Sequence, residues 1–322
     1  MYNVFDRMNT SWMEKISESI LKRKSLRSQT NAMRLVNGRG DGLDGLIIDQ
    51  YHHHYRILIY QEQWMSKIEN IKKYLVDRLG AHFILFRRGT REGREEVLYS
   101  FACPGAIAQT VVTENDLKFS VDLADQFNAG LFLDMRANRK RLSAIVSDRS
   151  VLNCFSYTCS FGVYSRMKSA RRVVNVDISK KALDWGQKNY SLNKITASED
   201  EFVRKDIFGY LKRADKILNF FDIIILDPPS FSRFQGKTFT ARKDLAKLVS
   251  HSVKILNPKG HLFLSTNDSG LETRHLSQML ERASIESKKE IRGLTPMGQD
   301  FDFSGSGKMK ESHLAAVLAH FG

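Results

Sequence analysis

The spacing of hydrophobic and polar positions changes along the chain and marks two halves. Residues 10–28 carry Trp12, Ile16, Ile20 and Leu21 at helical spacing, and Lys22, Arg23, Lys24 and Arg27 gather at the end, where cations complement a helix dipole. The next segment, "NGRGDGLDGLIIDQY", places four glycines within eight residues ahead of "YRILIYQ", the pattern of turns in a β-meander. Its G-x-G spacing does not make a phosphate loop, because a strand-like segment follows where a helix is required. His52, His53 and His54 fall where the meander turns, and without accompanying Cys or carboxylate clusters they read as a hairpin tip, not a metal site. A helix over 64–79 and the strand "FILFRRG" continue this small α+β region, and "LKFSVDL" reads as another strand that leads to "FNAGLFLDMRANRKRLSAIV".

The second half alternates. Strands at 151–155, 173–176, 222–226 and 261–265 are separated by helical patterns, which argues for a parallel sheet covered by helices. "KKEIRGLTP" and "SHLAAVLAHF" close the chain as a hairpin. "GSGKM" lacks the upstream Gly and the following Ser or Thr of a phosphate loop, so it reads as a turn. The expected division is an N-terminal helix plus small α+β domain over 1–115 and a second domain over 116–322.

Composition narrows the setting. The chain is 42% hydrophobic and 27% charged, a globular and not a disordered balance. Its net charge of +14 points to a polyanionic partner, most simply nucleic acid, since Lys and Arg displace counterions from phosphates. Three separated cysteines make no disulfide framework, and neither a signal peptide nor a membrane-length apolar run is evident, so a cytoplasmic protein without a membrane partner is expected.

Open parallel sheets bind ligands beyond the carboxyl ends of their strands. Here those ends carry Phe155-Ser156-Tyr157, then Asp177, Asp206 and Asp227-Pro228-Pro229. Asp177 follows the first loop by about twenty residues, the spacing at which a carboxylate accepts hydrogen bonds from ribose hydroxyls. Asp206 is placed to accept from an adenine amino group; an isolated Asp there would simply cap a helix. The loop after the first strand is short of glycine, carrying Ser156, Cys159 and Ser160 before Gly162. Glycine is demanded where backbone approaches a pyrophosphate closely. A nucleoside with a cationic, phosphate-free tail relaxes the demand, and S-adenosylmethionine is such a ligand.

"VLNCFSYTCSFGVYS", "VDIS", "ALDWGQKNYSLN" and "FDIIILDPPSFSR" resemble the class I S-adenosylmethionine-dependent methyltransferases that modify bacterial 23S ribosomal RNA, the group of cytosine-C5 and guanine-N7 enzymes. The likeness runs from "TNAMRLVNGRGDGLDGLIIDQY" through "GLFLDMRANR" to "FLSTN", most of residues 30–270. It implies an α/β fold: a Rossmann-like domain with a mainly parallel seven-stranded sheet ending in an antiparallel hairpin, preceded by a small α+β domain. It also implies S-adenosylmethionine as cofactor and ribosomal RNA as partner. By this resemblance Phe155, Ser156, Tyr157, Thr158 and Cys159 form the cofactor loop, in which Cys159 and Ser160 stand where the group usually has two glycines. Asp177 with Ile178 takes the ribose, Asp206 with Ile207 the adenine side, and Asp134, Arg136 and Asn138 flank the cofactor. Asp227, Pro228, Pro229 and Phe231 hold the target base, with Asp227 also on the cofactor side. The group usually begins with a small RNA-binding PUA domain, which this chain is expected to lack.

The prolines remove two amide donors and stiffen the backbone, leaving carbonyls and the Asp227 carboxylate to accept from a base's N–H groups. Phe231 offers a face for a base drawn from its stack. Carbon-5 of cytosine needs a cysteine thiolate adding to the ring, and the resemblance places that cysteine in the segment occupied here by "FLSTNDSG". A guanine nitrogen has its own lone pair and needs only positioning and charge placement. Direct transfer to nitrogen is therefore favoured over the C5 route. Two readings from other classes remain, a non-catalytic basic RNA-binding relic and a dinucleotide-dependent oxidoreductase. Cofactor affinity discriminates against the first, while the missing glycines and DPPSF argue against the second.

Overall fold

The computed structural model describes residues 4–89, 95–126, 128–234, 237–303 and 314–322. "GSGKM" lies outside them. Two compact units emerge, Met1–Asp134 with Asp300–Ser312 and Met135–Gln299 with His313–Gly322. The division expected at 115/116 shifts to follow Asp134. Residues 115 and 116 form the turn of a hairpin whose strands pair from Gln109↔Asp122 to Glu114↔Leu117, and a boundary there would cut it.

The first unit opens with α1 (Val4–Lys22), which is followed by a 3-10 turn over Lys24–Ser28, so the basic stretch is not one continuous helix. Its sheet holds β1 (Ala32–Asn37), β2 (Leu46–Tyr51), β3 (His54–Ile59), β4 (Phe83–Gly89) and β5 (Glu95–Ala102) in chain order. Neighbours are antiparallel except β3 and β4, which run parallel because α2 (Ile68–Leu79) crosses between them. The helix expected from residue 64 begins as a 3-10 segment, Glu62–Lys67. His52 and His53 form the β2–β3 turn, with His52 in the left-handed region at φ 58°. The paired strands β6 (Gln109–Glu114) and β7 (Leu117–Asp122) complete the unit. Trp12, Ile16, Leu35, Ile48, Ile57 and Ile84 meet in its core, and Arg34 and Asp49, register partners on β1 and β2, form a part-buried two-point ion pair (2.8 and 3.2 Å).

The second unit begins with α3 (Arg136–Ser143) and then alternates: β8 (Ser150–Cys154), α4 (Ser160–Met167), β9 (Arg172–Asp177), α5 (Lys180–Leu192), β10 (Phe202–Arg204), α6 (Ile207–Lys216) and β11 (Phe221–Leu226). A small hairpin, β12 (Phe231–Phe234) and β13 (Lys237–Thr240), precedes α7 (Ala241–Lys254), β14 (Leu256–Thr266), α8 (Thr273–Ser287), β15 (Ile291–Met297) and β16 (Ala315–Phe321). The sheet order is β10-β9-β8-β11-β14-β16-β15, with β16 antiparallel to both β14 and β15. The seven-stranded, mainly parallel sheet with a terminal antiparallel hairpin is as expected. Burial on both faces explains the unbroken apolar runs: along β11, Ile224 and Leu226 enter one core while Ile223 and Ile225 enter the other. The order in which strands are added reverses between the parallel neighbours β8 and β11, which makes their carboxyl ends the switch point where such sheets bind ligands. Among the described residues no helix is long and apolar enough to cross a membrane.

Candidate functional site

The loop from β8 to α4 is built without the glycines its shape calls for. Phe155, Tyr157 and Cys159 all adopt left-handed backbone, at φ 55°, 46° and 60°. Each such non-glycine residue costs about 1–2 kcal/mol, so the loop persists only because its surroundings hold it. Ser156 donates its N–H to the Val176 carbonyl (3.1 Å), Tyr157 to Asp177 Oδ2 (2.9 Å) and Cys159 to the Ser156 carbonyl (2.7 Å). Asn189 of α5 donates Nδ2 to the Thr158 carbonyl (2.9 Å).

Cys159 is fully buried, and its side chain occupies the space over Gly186 of α5. A Cβ added at Gly186 would stand 2.4 Å from Cys159 Sγ, so the volume that Cys159 adds to the loop is matched by volume missing from the helix. This compensation explains how the departure from the usual glycine is accommodated. Sequence inspection missed Gly186, although a glycine inside a 13-residue helix signals close packing. Gly162 of α4 plays a similar part: a Cβ there would lie 2.4 Å from Asn175 Oδ1, within a buried chain of hydrogen bonds from Asn153 Nδ2 to Asn175 Oδ1 (2.9 Å) and from Asn175 Nδ2 to the Tyr190 hydroxyl (2.9 Å).

The N–H groups of Ser156, Tyr157 and Cys159 therefore go to protein acceptors. In a dinucleotide fold those donors would cradle a pyrophosphate. This geometry instead presents acceptors. Asp177, at the end of β9, takes Tyr157 N–H on Oδ2 and Ser179 N–H on Oδ1 (2.8 Å). Burial pushes its carboxyl above the usual carboxylate range, against the opposing pull of N–H donors from Ser179, Tyr157 and Ile178. Ile178 follows it, and Ser179 caps α5 by accepting from Ala182 N–H. Asp206 is the N-cap of α6 and accepts from Gly209 N–H (2.9 Å), with Ile207 buried behind it.

The end of β11 lies beside the end of β8, where Leu226 pairs with Cys154. Asp227 is half-buried and accepts from the Ser265 hydroxyl at the end of β14 (2.7 Å), a partner that sequence inspection did not single out. Ser230 donates to Asn267 Oδ1 (2.5 Å). Pro228 is buried and Pro229 exposed, and Phe231 is 52% exposed. Burial pushes the Cys154 and Cys159 thiols well above their usual range. Asp134 ends the first unit, while Arg136 and Asn138 lie in α3 of the second, both fully buried. Asn138 Nδ2 contacts Met135 Sδ (3.4 Å), and its Oδ1 is buried with no hydrogen-bond partner among the described residues. The sheet thus brings residues 155–159, Asp177, Asp206 and Asp227 to one edge.

A family model for S-adenosylmethionine-dependent methyltransferases matches residues 76–290. Ribosomal RNA large subunit methyltransferase I of Aliivibrio fischeri is 31% identical over 281 residues, covering 84% of this chain and 69% of that protein. The protein of the same name from Tolumonas auensis is 31% identical over 289 residues, covering 86% of this chain and 71% of the relative. The crystal structure of SMU.776, described as a methyltransferase complexed with SAH, matches with a TM-score of 0.85 at 26% identity, over 97% of this chain and 81% of the other. With the family match spanning more than half of the chain and the sheet order on the page, this chain belongs to the S-adenosylmethionine-dependent methyltransferase family and is an enzyme that uses S-adenosylmethionine.

Proposed function

We propose that the chain methylates a base of ribosomal RNA, transferring the methyl group directly to a guanine nitrogen. The RNA substrate is supported by the relatives named ribosomal RNA large subunit methyltransferase I and by the net charge of +14. Bound S-adenosylmethionine supplies a methyl group on a positively charged sulfur. Its donors and charge suit the acceptors at the strand ends: Asp177 for the ribose hydroxyls, with Ile178 beside it, and Asp206 with Ile207 for the adenine. The unpartnered Asn138 Oδ1 is an acceptor suited to the cationic amino-acid end, with Asp134 and Arg136 flanking.

One observation carries the choice of atom. The C5 route needs a thiol at the end of the strand beside Asp227, and there the chain has Ser265, whose hydroxyl donates to the Asp227 carboxylate. That bond helps to orient the Asp227 carboxylate, an acceptor whose chemistry suits the N–H edge of a base. Phe231 gives the base a face to lie on, and Pro228 and Pro229 hold the backbone between them rigid. The guanine nitrogen uses its own lone pair, so positioning and water exclusion suffice.

The test is labelled methyl transfer to unmodified ribosomal RNA. Replacing Cys103 by Ser with Cys154 and Cys159 by Ala is expected to leave transfer largely intact, whereas Asp227→Ala abolishes it. Phe231→Ala cuts it through a stacking loss of about 1–3 kcal/mol. A cysteine-free chain that folds, binds cofactor and transfers nothing would return the reaction to the cytosine-C5 route. A wild-type chain that binds RNA but transfers nothing would make it a relic.

A further inference from the structure

The hairpin β12–β13 was not legible in the sequence, and it stands apart from the seven-stranded sheet. A lone two-stranded hairpin is marginally stable in water, so something must anchor it. Its base is closed by Ala241 N–H donating to the Ser230 carbonyl (3.1 Å). Among its described side chains, Phe239 packs against two aromatic rings of the cofactor half. The ring of Phe155 is 5.7 Å away, centroid to centroid, and that of Phe208 is 6.4 Å away. All three pack against the main core of the unit.

Both rings belong to segments assigned to the cofactor. Phe155 is the first of the three left-handed residues of the loop, and Phe208 follows the Asp206 cap by two residues. Phe231 pairs with Thr240, and Ser232 with Phe239. Successive residues of a strand point to opposite faces, so Phe239 enters the core from one face while Phe231 is presented on the other. The element that carries the exposed Phe231 thus touches, through the Phe239 ring, the two segments assigned to the cofactor.

We propose that Phe239 is a positioning residue that couples cofactor occupancy to the docking of the target base. This rests on the reading that the base docks at Asp227 and Phe231. Cofactor bound along the loop fixes Phe155, which fixes Phe239 and with it the hairpin and the Phe231 face. Bound cofactor therefore prepares the base platform, and RNA in turn tightens the hold on cofactor, because coupling between two sites is reciprocal.

The measurement is the RNA dissociation constant with and without saturating S-adenosylhomocysteine, a probe that cannot transfer a methyl group. For the wild-type chain the cofactor product is expected to tighten RNA binding by about 5-fold or more, the low end of ordinary coupling. Phe239→Ala and Phe239→Leu are expected to bring the ratio close to one, because neither side chain spans Phe155 and Phe208. Phe239→Tyr keeps the ring and is expected to keep the ratio. Using both Ala and Leu keeps the test open should one variant fail to fold. A wild-type ratio of one, or a folded Phe239→Ala with the full ratio, overturns the coupling. Phe231→Ala separates the two ideas. If it weakens RNA binding while Phe239→Ala keeps the full ratio, the coupling alone fails; if it leaves RNA affinity unchanged, the docking reading fails and takes the coupling with it.

Discussion

Cys159 and Gly186 exchange volume across a helix, and the exchange can be measured. Gly186→Ala ordinarily strengthens a helix by about 1 kcal/mol. Here the new methyl meets Cys159 Sγ at 2.4 Å and its Cβ at 2.9 Å, and overpacking of this kind costs about 1–3 kcal/mol. Gly186→Ala is therefore expected to destabilise the wild-type chain but to become neutral or stabilising once Cys159→Gly opens the space, as read by denaturant unfolding. An equal loss in both backgrounds would mean that the two positions are not coupled. Asp177 sets a second residue-scale expectation. Asp177→Ala is expected to weaken cofactor binding by about 1.5–3 kcal/mol, the value of hydrogen bonds to a charged group; unchanged affinity in a folded variant would remove its ribose role. Its carboxyl sits above the usual range because of burial, so protonation sets in at a higher pH than for an exposed Asp. Cofactor affinity is expected to fall as pH drops through that raised value. Without ligand the sign is opposite: the folded state holds this proton more tightly than the unfolded one, and the group's contribution to stability grows as pH falls.

Among the elements, β14 and β16 carry a titration at their far end. His261 and His320 are register partners with rings stacked 4.5 Å apart, and Arg149 Nη1 donates to His261 Nδ1 (3.0 Å). Burial, then His320 and Arg149, lower the His261 pKa to about 4. A histidine kept neutral when folded binds its proton more readily when unfolded, so stability is expected to fall as pH drops from about 6.5 to about 4. His261→Gln should flatten that part of a thermal-unfolding pH series; an unchanged slope would assign it to other groups. The strand ends with Asp177, Asp206 and Asp227 were legible because a sheet buried on both faces makes long apolar runs that stop at polar residues. The boundary near 115 was misplaced because β6 and β7 are only six residues each, and what joins them across it is their mutual pairing, which residue spacing does not show. The hairpin after DPPS was invisible for a similar reason: it is two four-residue strands, and Phe239 gains its meaning only from rings contributed 84 and 31 residues earlier. The roles of Ser265 and Gly186 likewise depend on neighbours distant in sequence.

For the whole molecule, the net charge of +14 is expected to make RNA association fall steeply between about 50 and 200 mM salt, with a log–log slope set by the phosphates contacted. Affinity that does not change over that range would reject electrostatic docking. Charge does not choose an atom; the proposed transfer to a guanine nitrogen rests on Ser265 donating to Asp227 where the cytosine-C5 route would need a thiol. The most direct measurement is nucleoside mass spectrometry of unmodified large-subunit ribosomal RNA after incubation with the wild-type chain and isotopically labelled S-adenosylmethionine. The expected result is label in a guanosine methylated on nitrogen. Label in 5-methylcytidine, or none in the RNA at all, would contradict it.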